Sequence, residues 1–262
     1  MTAPTPERPD EEPREAVIEI RQVALSFGEK EILRSIDLTA RTRERLVILG
    51  QSGGGKSTLL RLILGILKPT AGSVKFKGAE ISMMTRRQLN AVRQRVGMVY
   101  QYSALISSLS VRDNLALPLE ELTEKPASEI DEIIDEKLGL VGMQETRDKM
   151  PAELSGGMKK RIGLARALVL DPELILYDEP SAGLDPVTSS IVDELIISLS
   201  EKIQATSIIV THEMDSAFKI ATRLAMLYQG EIIAEDTPER FREHENPVVA
   251  QFVSGKVEGP IS

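Results

Sequence analysis

The sequence predicts an α/β fold: a parallel central sheet, an antiparallel β subdomain ahead of it and a helical insertion within it. Three observations carry that prediction. Residues 46–49 (LVIL), 174–177 (LILY) and 207–210 (SIIV) are short, largely unbroken apolar runs, the pattern of strands buried on both faces of a parallel sheet. The first of them leads directly into the glycine-rich stretch GQSGGGKST, Gly50 to Thr58, and then into a leucine-rich segment, so the order is strand, loop, helix. Between Gln101 and Leu154 the periodicity turns helical.

Residues 1–15 are acidic, with Pro4, Pro6, Pro9 and Pro13 among the charges, and are expected to form a disordered tail. Folding is expected to begin near Ala16. Over residues 17–40 the β-branched and alternating side chains predict antiparallel strands, with Gly28-Glu29-Lys30 as their turn. In the glycine-rich stretch, Gly50, Gln51, Ser52, Gly53, Gly54 and Gly55 let successive N–H groups turn inward on a phosphate. The Lys56 ammonium reaches the β- and γ-phosphates, and Ser57, followed by Thr58, offers a hydroxyl to Mg²⁺. The stretch therefore reads as a nucleoside-triphosphate site.

Further along, Gln101 ends the apolar run VGMVY, and helices are expected over 114–119 and 130–140, with a short piece before Pro151. Ser155 is placed to cap a helix on which Met158, Ile162, Ala165 and Val169 share one face, while Lys159, Lys160 and Arg166 lie mostly elsewhere. Asp178 and Glu179 close the LILY run, and His212 follows SIIVT. Nucleotide is expected at the carboxyl ends of these strands, the usual place in open α/β sheets. Residues 237–244 and 247–253 read as two short terminal helices followed by a tail. The sequence has no internal repeat, which points to one nucleotide-binding unit.

The phosphate loop, then LSGGMKKR from Leu154, then LILYDEP from Leu174, resemble in that order the ABC-transporter ATPase family. The resemblance implies a RecA-like P-loop NTPase core over residues 16–236 with an antiparallel β subdomain and an α-helical subdomain at about 102–157, and 237–262 as short C-terminal helices and tail. It also implies roles. Phe27 stacks on adenine, Glu179 polarises the attacking water, and His212 hydrogen-bonds the γ-phosphate. Asp178 and Gln101 join Ser57 around Mg²⁺, and Gln101 also contacts the water. Ser155, Gly156 and Gly157 face the γ-phosphate of a second copy, and Asp185 lies at the contact between copies, so a head-to-tail dimer is implied.

Within the family, VGMVYQYSALISSLSVRDNLALPL from Val96, and LSGGMKKRIGLARAL with Met158 in place of a commoner glutamine, are similar to the ATPases of Mla/Mce-type phospholipid transport systems and their chloroplast lipid-import relatives. That resemblance implies a membrane permease and an Mce-domain lipid-binding protein as partners. The alternative is the ATPase of a polar amino-acid importer, and a soluble non-transport ABC protein is a third reading. Leu105, Ile106 and Leu109 suit either a permease contact or the core of the helical subdomain.

Composition agrees with these expectations. A net charge of −8 and the absence of Trp argue against a nucleic-acid surface. There are no cysteines, as in a reducing compartment. No apolar run approaches the ~20 residues that span a bilayer, and the acidic, proline-rich start is unlike a signal peptide. The expected place is the cytoplasmic face of the cell membrane, reached through the permease.

Overall fold

A computed structural model describes residues 14–261; residues 1–13, most of the tail expected to be disordered, lie outside the described residues. The strands in chain order are β1 (Ala16–Phe27), β2 (Lys30–Arg41), β3 (Arg45–Leu49), β4 (Ala71–Phe76), β5 (Ala79–Glu80), β6 (Val96–Val99), β7 (Leu174–Asp178), β8 (Thr206–Thr211), β9 (Arg223–Tyr228) and β10 (Glu231–Asp236). The helices are α1 (Lys56–Ile63), α2 (Arg86–Gln94), α3 (Val111–Leu122), α4 (Ala127–Leu140), α5 (Gly156–Leu168), α6 (Pro186–Ile203), α7 (Met214–Ile220), α8 (Pro238–Arg242) and α9 (Pro247–Ser254). The chain forms two compact units, Met1–Thr85 with Thr206–Ser262, and Arg86–Ala205.

In the first unit β1 pairs antiparallel with both β2 and β4. The β1–β2 hairpin closes where Phe27 faces Lys30, across Gly28 at φ 60°, the left-handed region that glycine enters without penalty. Ile18 and Ile20, then Val23 and Leu25, are buried along β1 at two-residue spacing, and the exposed Arg21 and Gln22 between the pairs mark a shift in register, with Gln22 at φ 47°.

The same unit holds the parallel strands. β3 lies between β8 and β9, parallel to both, and β10 returns antiparallel along β9. Leu46, Val47, Ile48 and Leu49 are 0 % exposed. This is why their run is unbroken: successive side chains point to opposite faces of the sheet, and both faces are out of water here. β9 (RLAMLY), which the sequence pattern did not single out, is buried beside β3 for the same reason. Helix α1 buries Leu59, Leu60, Leu62 and Ile63, each worth about 2 kcal/mol when removed from water.

At the base of β3 and β9 the Arg223 guanidinium donates to both carboxylate oxygens of Glu44, at 2.6 and 3.0 Å, and also pairs with Glu235. The terminal segment is ordered. Phe241 of α8 is buried edge-on against Phe218, and the Gln251 side chain accepts from Ile261 N at 2.7 Å and donates to the carbonyls of Lys256 and Ile261 at 3.1 and 3.2 Å. The last described residues are thus folded back on α9.

In the second unit β6 and β7 run parallel, Val96 beside Leu174 through Val99 beside Tyr177. The helical stretch is longer than the sequence pattern predicts. Ser110 caps α3 by accepting from Asp113 N, which starts the helix three residues before Asn114. Buried Asn114 does not face an apolar core. Its amide donates to the carbonyls of Ile106, Leu109 and Ser110 and accepts from Ile106 N, fixing the loop that precedes the helix. In that loop Ile106 is exposed while Leu105 and Leu109 are half-buried.

Candidate functional site

In the first unit the chain leaves β3 at Gly50, where an added Cβ would lie 2.4 Å from the Leu227 carbonyl oxygen of β9. Only glycine fits that approach. Gly53 and Gly55 have φ of 76° and 97°, and Gly54 N closes a turn onto Gln51 O at 3.1 Å. The loop thereby curls around the Lys56 side chain, which is 5 % exposed and donates to the carbonyls of Gly50 at 2.8 Å and Gln51 at 3.1 Å. Gln51, Ser52 and Gly53 are exposed, and Ser57 and Thr58 occupy the half-buried first turn of α1. That turn has no side-chain cap and no acidic residue, so its N–H groups and dipole suit an anion.

Two further candidates belong to this unit. Leu49 of β3 lies opposite Thr211 of β8, so Gly50 and His212 leave neighbouring strands at the same level. His212 is exposed, and the turn beyond it is held by Thr211 Oγ1, which accepts from Glu213 N at 3.0 Å. Phe27, at the end of β1, is 53 % exposed, so its ring is open to solvent. The adjoining β2 supplies Ile32 and Leu33, which pack within 3.0–3.4 Å of where a Gly55 Cβ would stand.

The second unit contains Gln101, Asp178, Glu179, Ser155, Gly156, Gly157 and Asp185. Asp178 ends β7 half-buried, and Glu179 follows at 8 % exposure with φ 50°, a left-handed backbone costly for a non-glycine residue. Pro180 and Ser181 are buried behind it. Ser155 is exposed and caps α5, accepting from Met158 N at 3.3 Å. A Cβ on Gly157 would stand 2.5 Å from Thr188 Cγ2, so the start of α5 sits against the start of α6 with no room for a side chain. Asp185 is exposed and caps α6, accepting from Val187 N and Thr188 N at 3.1 Å each. Hydrogen bonds from Thr188, its side chain first, hold the Asp185 carboxyl below its ordinary pKa.

Lys160 lies off the face that carries Met158, Ile162, Ala165 and Val169, as the periodicity predicts, but that side of the helix is buried too: Lys160 is 6 % exposed, and its Nζ donates to the carbonyl oxygens of Gln101 at 2.5 Å and Glu179 at 3.3 Å. Arg166, two turns on, donates to the carbonyls of Ala104 and Ser103. Gly163 between them lets the helix approach Ser103, but no sequence pattern signals that either cation binds loop carbonyls.

A family model described as ABC transporter matches residues 33–182. Among similar proteins, the "Probable ribonucleotide transport ATP-binding protein mkl" of Mycobacterium tuberculosis (strain H37Rv) is 41 % identical over 244 residues, covering 93 % of this chain and 68 % of that one. "Protein TRIGALACTOSYLDIACYLGLYCEROL 3, chloroplastic" of Arabidopsis thaliana is 37 % identical, covering 97 % and 78 %. The "Intermembrane phospholipid transport system ATP-binding protein MlaF" of Haemophilus influenzae is 38 % identical over 245 residues, covering 94 % and 93 %. Among solved structures, the ATP-binding cassette MJ0796, described as dimeric, post-hydrolysis and bound to ADP and Pi, has a TM-score of 0.76 at 29 % identity, covering 84 % of this chain and 98 % of that one.

Proposed function

Because the chain belongs to the ABC transporter family as an ATP-binding, ATP-hydrolysing subunit, we propose that it powers phospholipid transport by a membrane permease through ATP-driven pairing of two copies. The observation that carries the nucleotide assignment is the Gly50–Lys56 loop: a buried ammonium inside a glycine turn, at the uncapped start of a helix. The lipid assignment is supported by the phospholipid-transport relative, which this chain matches over nearly the whole of both lengths. The dimeric state of a related cassette supports the pairing.

In this reading Lys56 exchanges its bonds to the Gly50 and Gln51 carbonyls for β- and γ-phosphate oxygens, and Phe27 lies against the adenine. Glu179 accepts the proton of a water that attacks the γ-phosphorus as the bond to the β-bridging oxygen breaks. Gln101 orients that water, and His212 donates to the γ-phosphate. Ser57, Asp178 and Gln101 would hold Mg²⁺ through hydroxyl, carboxylate and amide oxygens, the hard donors that cation takes, and the ion would supply charge neutralisation at the phosphates. Ser155, Gly156 and Gly157 of one copy close over the nucleotide of the other, and Asp185 lies at that contact. Hydrolysis then releases the copies and lets the permease change state.

Among the described residues no helix is long and apolar enough to cross a membrane, and the proposed place is the cytoplasmic membrane face, held there by the permease. An Mce-domain lipid-binding protein is the proposed further partner. The experiment is affinity capture of the Glu179→Gln variant with ATP from its native membrane, followed by mass spectrometry of proteins and lipids. Recovery of a permease with an Mce-domain protein and phospholipid is expected. Recovery of an amino-acid permease, or of a complex loaded with ribonucleotide, overturns the cargo and leaves the ATPase assignment standing.

A further inference from the structure

One face of α5 grips the main chain of the loop after β6. Lys160, Gly163 and Arg166 are spaced three residues apart and so share that face. At the first position, buried Nζ donates to the carbonyls of Gln101 and Glu179 at 2.5 and 3.3 Å. At the second, an added Cβ would stand 3.3 Å from Ser103 Cβ and 3.4 Å from its Cα and carbonyl oxygen, so helix and loop touch with nothing between them. At the third, Arg166 donates to Ala104 O at 2.7 Å and to Ser103 O at 3.0 Å.

The loop so held is conformationally costly. Ser103 and Ala104 have φ of 61° and 47°, left-handed values for two consecutive residues that bear a Cβ. Such backbone persists only where its surroundings over-determine it, and three charge-assisted bonds from one helix face to the carbonyls of Gln101, Ser103 and Ala104 do so. Burying the Lys160 ammonium and half-burying the Arg166 guanidinium to hold carbonyl oxygens is expensive, and the loss of water around Arg166 pushes its pKa down. A purely packing role would be met more cheaply by apolar side chains.

We propose that Lys160 and Arg166 are positioning residues for ATP hydrolysis: they bind the Gln101 loop and the Glu179 backbone to one face of α5 and so fix where both stand. The inference rests on the ATPase reading above.

The test uses the full-length chain and the variants Lys160→Met, which keeps length and loses the donor, and Lys160→Arg, which keeps a charged donor. We expect Lys160→Met to lower kcat roughly 10²-fold, as a small misplacement of reacting groups does, while affinity for a fluorescent ATP analogue is unchanged because Lys56 is untouched. Lys160→Arg recovers most of that rate. Amides of residues 102–105 exchange hydrogen at least about tenfold faster in the methionine variant, reporting a freed loop. Wild-type kcat in Lys160→Met overturns the inference, as does a loss that arginine does not recover and that leaves loop exchange unchanged. If the methionine variant does not fold, Arg166→Lys serves in its place, with the same faster exchange expected and unchanged exchange overturning the inference. Should the wild-type chain fail to hydrolyse ATP, the ATPase reading falls, while loop exchange still judges the grip.

Discussion

The Lys56 ammonium already has partners before any phosphate arrives, in the Gly50 and Gln51 carbonyls of its own loop. Lys56→Ala therefore removes the cation that offsets the phosphates and also a donor that two inward-facing carbonyls use, a loss of about 1–3 kcal/mol on the second count alone. The expected outcome is a folded protein with no measurable ATP binding by titration calorimetry; wild-type affinity would end the nucleotide assignment. This residue was readable from sequence because phosphate chemistry dictates glycines and a lysine at fixed spacing. Lys160 was not, because its burial depends on carbonyls 59 and 19 residues away, and helical periodicity only separates apolar positions from polar ones. Asp185 lies between these cases: its position was expected, while its capping of α6 emerged only with the structure.

Helix α6 shows how an element depends on one such carboxylate. With the Asp185 pKa held below its ordinary 3.8, the cap contributes fully above that ordinary value and is lost as pH falls through the lowered one. Asp185→Asn keeps an acceptor for Val187 N and Thr188 N but carries no charge to titrate. The stability gap between wild type and this variant should therefore narrow as the pH falls from 5 to about 3, read by thermal melting; a gap constant across that range would show that the carboxylate charge does not matter to the cap. At this scale the strands buried on both faces were legible, since β3, β7 and β8 are apolar runs bounded by loop chemistry. β9 was passed over because Ala225 and Met226 are weak strand formers, and its place beside β3 is decided by tertiary pairing. The starts of α3 and α4 were also set later than they are, because capping by Ser110 and entry from Pro126 act ahead of the apolar positions.

For the molecule as a whole, the proposed pairing of copies makes its own demand on α5. Ser155 is exposed and caps that helix, so Ser155→Ala should cost about 1 kcal/mol of stability and leave much of the hydrolysis, whereas Ser155→Arg adds bulk where the opposite nucleotide would sit. We expect Ser155→Arg to bind ATP normally and to lose the part of its turnover that rises with protein concentration; unchanged turnover would remove the model of sites shared between copies. The division into units was less readable than the motifs, because the first unit is assembled from the two ends of the chain and only contacts over long sequence separations reveal it. That assembly orders events during synthesis. Strand β3, which carries the phosphate loop, emerges early but is flanked only by β8 and β9, whose backbone bonds to it span more than 160 residues. The second unit is continuous and free to condense while the ribosome is still at work, but the loop stays unsupported until residue 228 has appeared. A chain cut short before β9 thus carries the complete phosphate-binding sequence without the strands that hold it in shape.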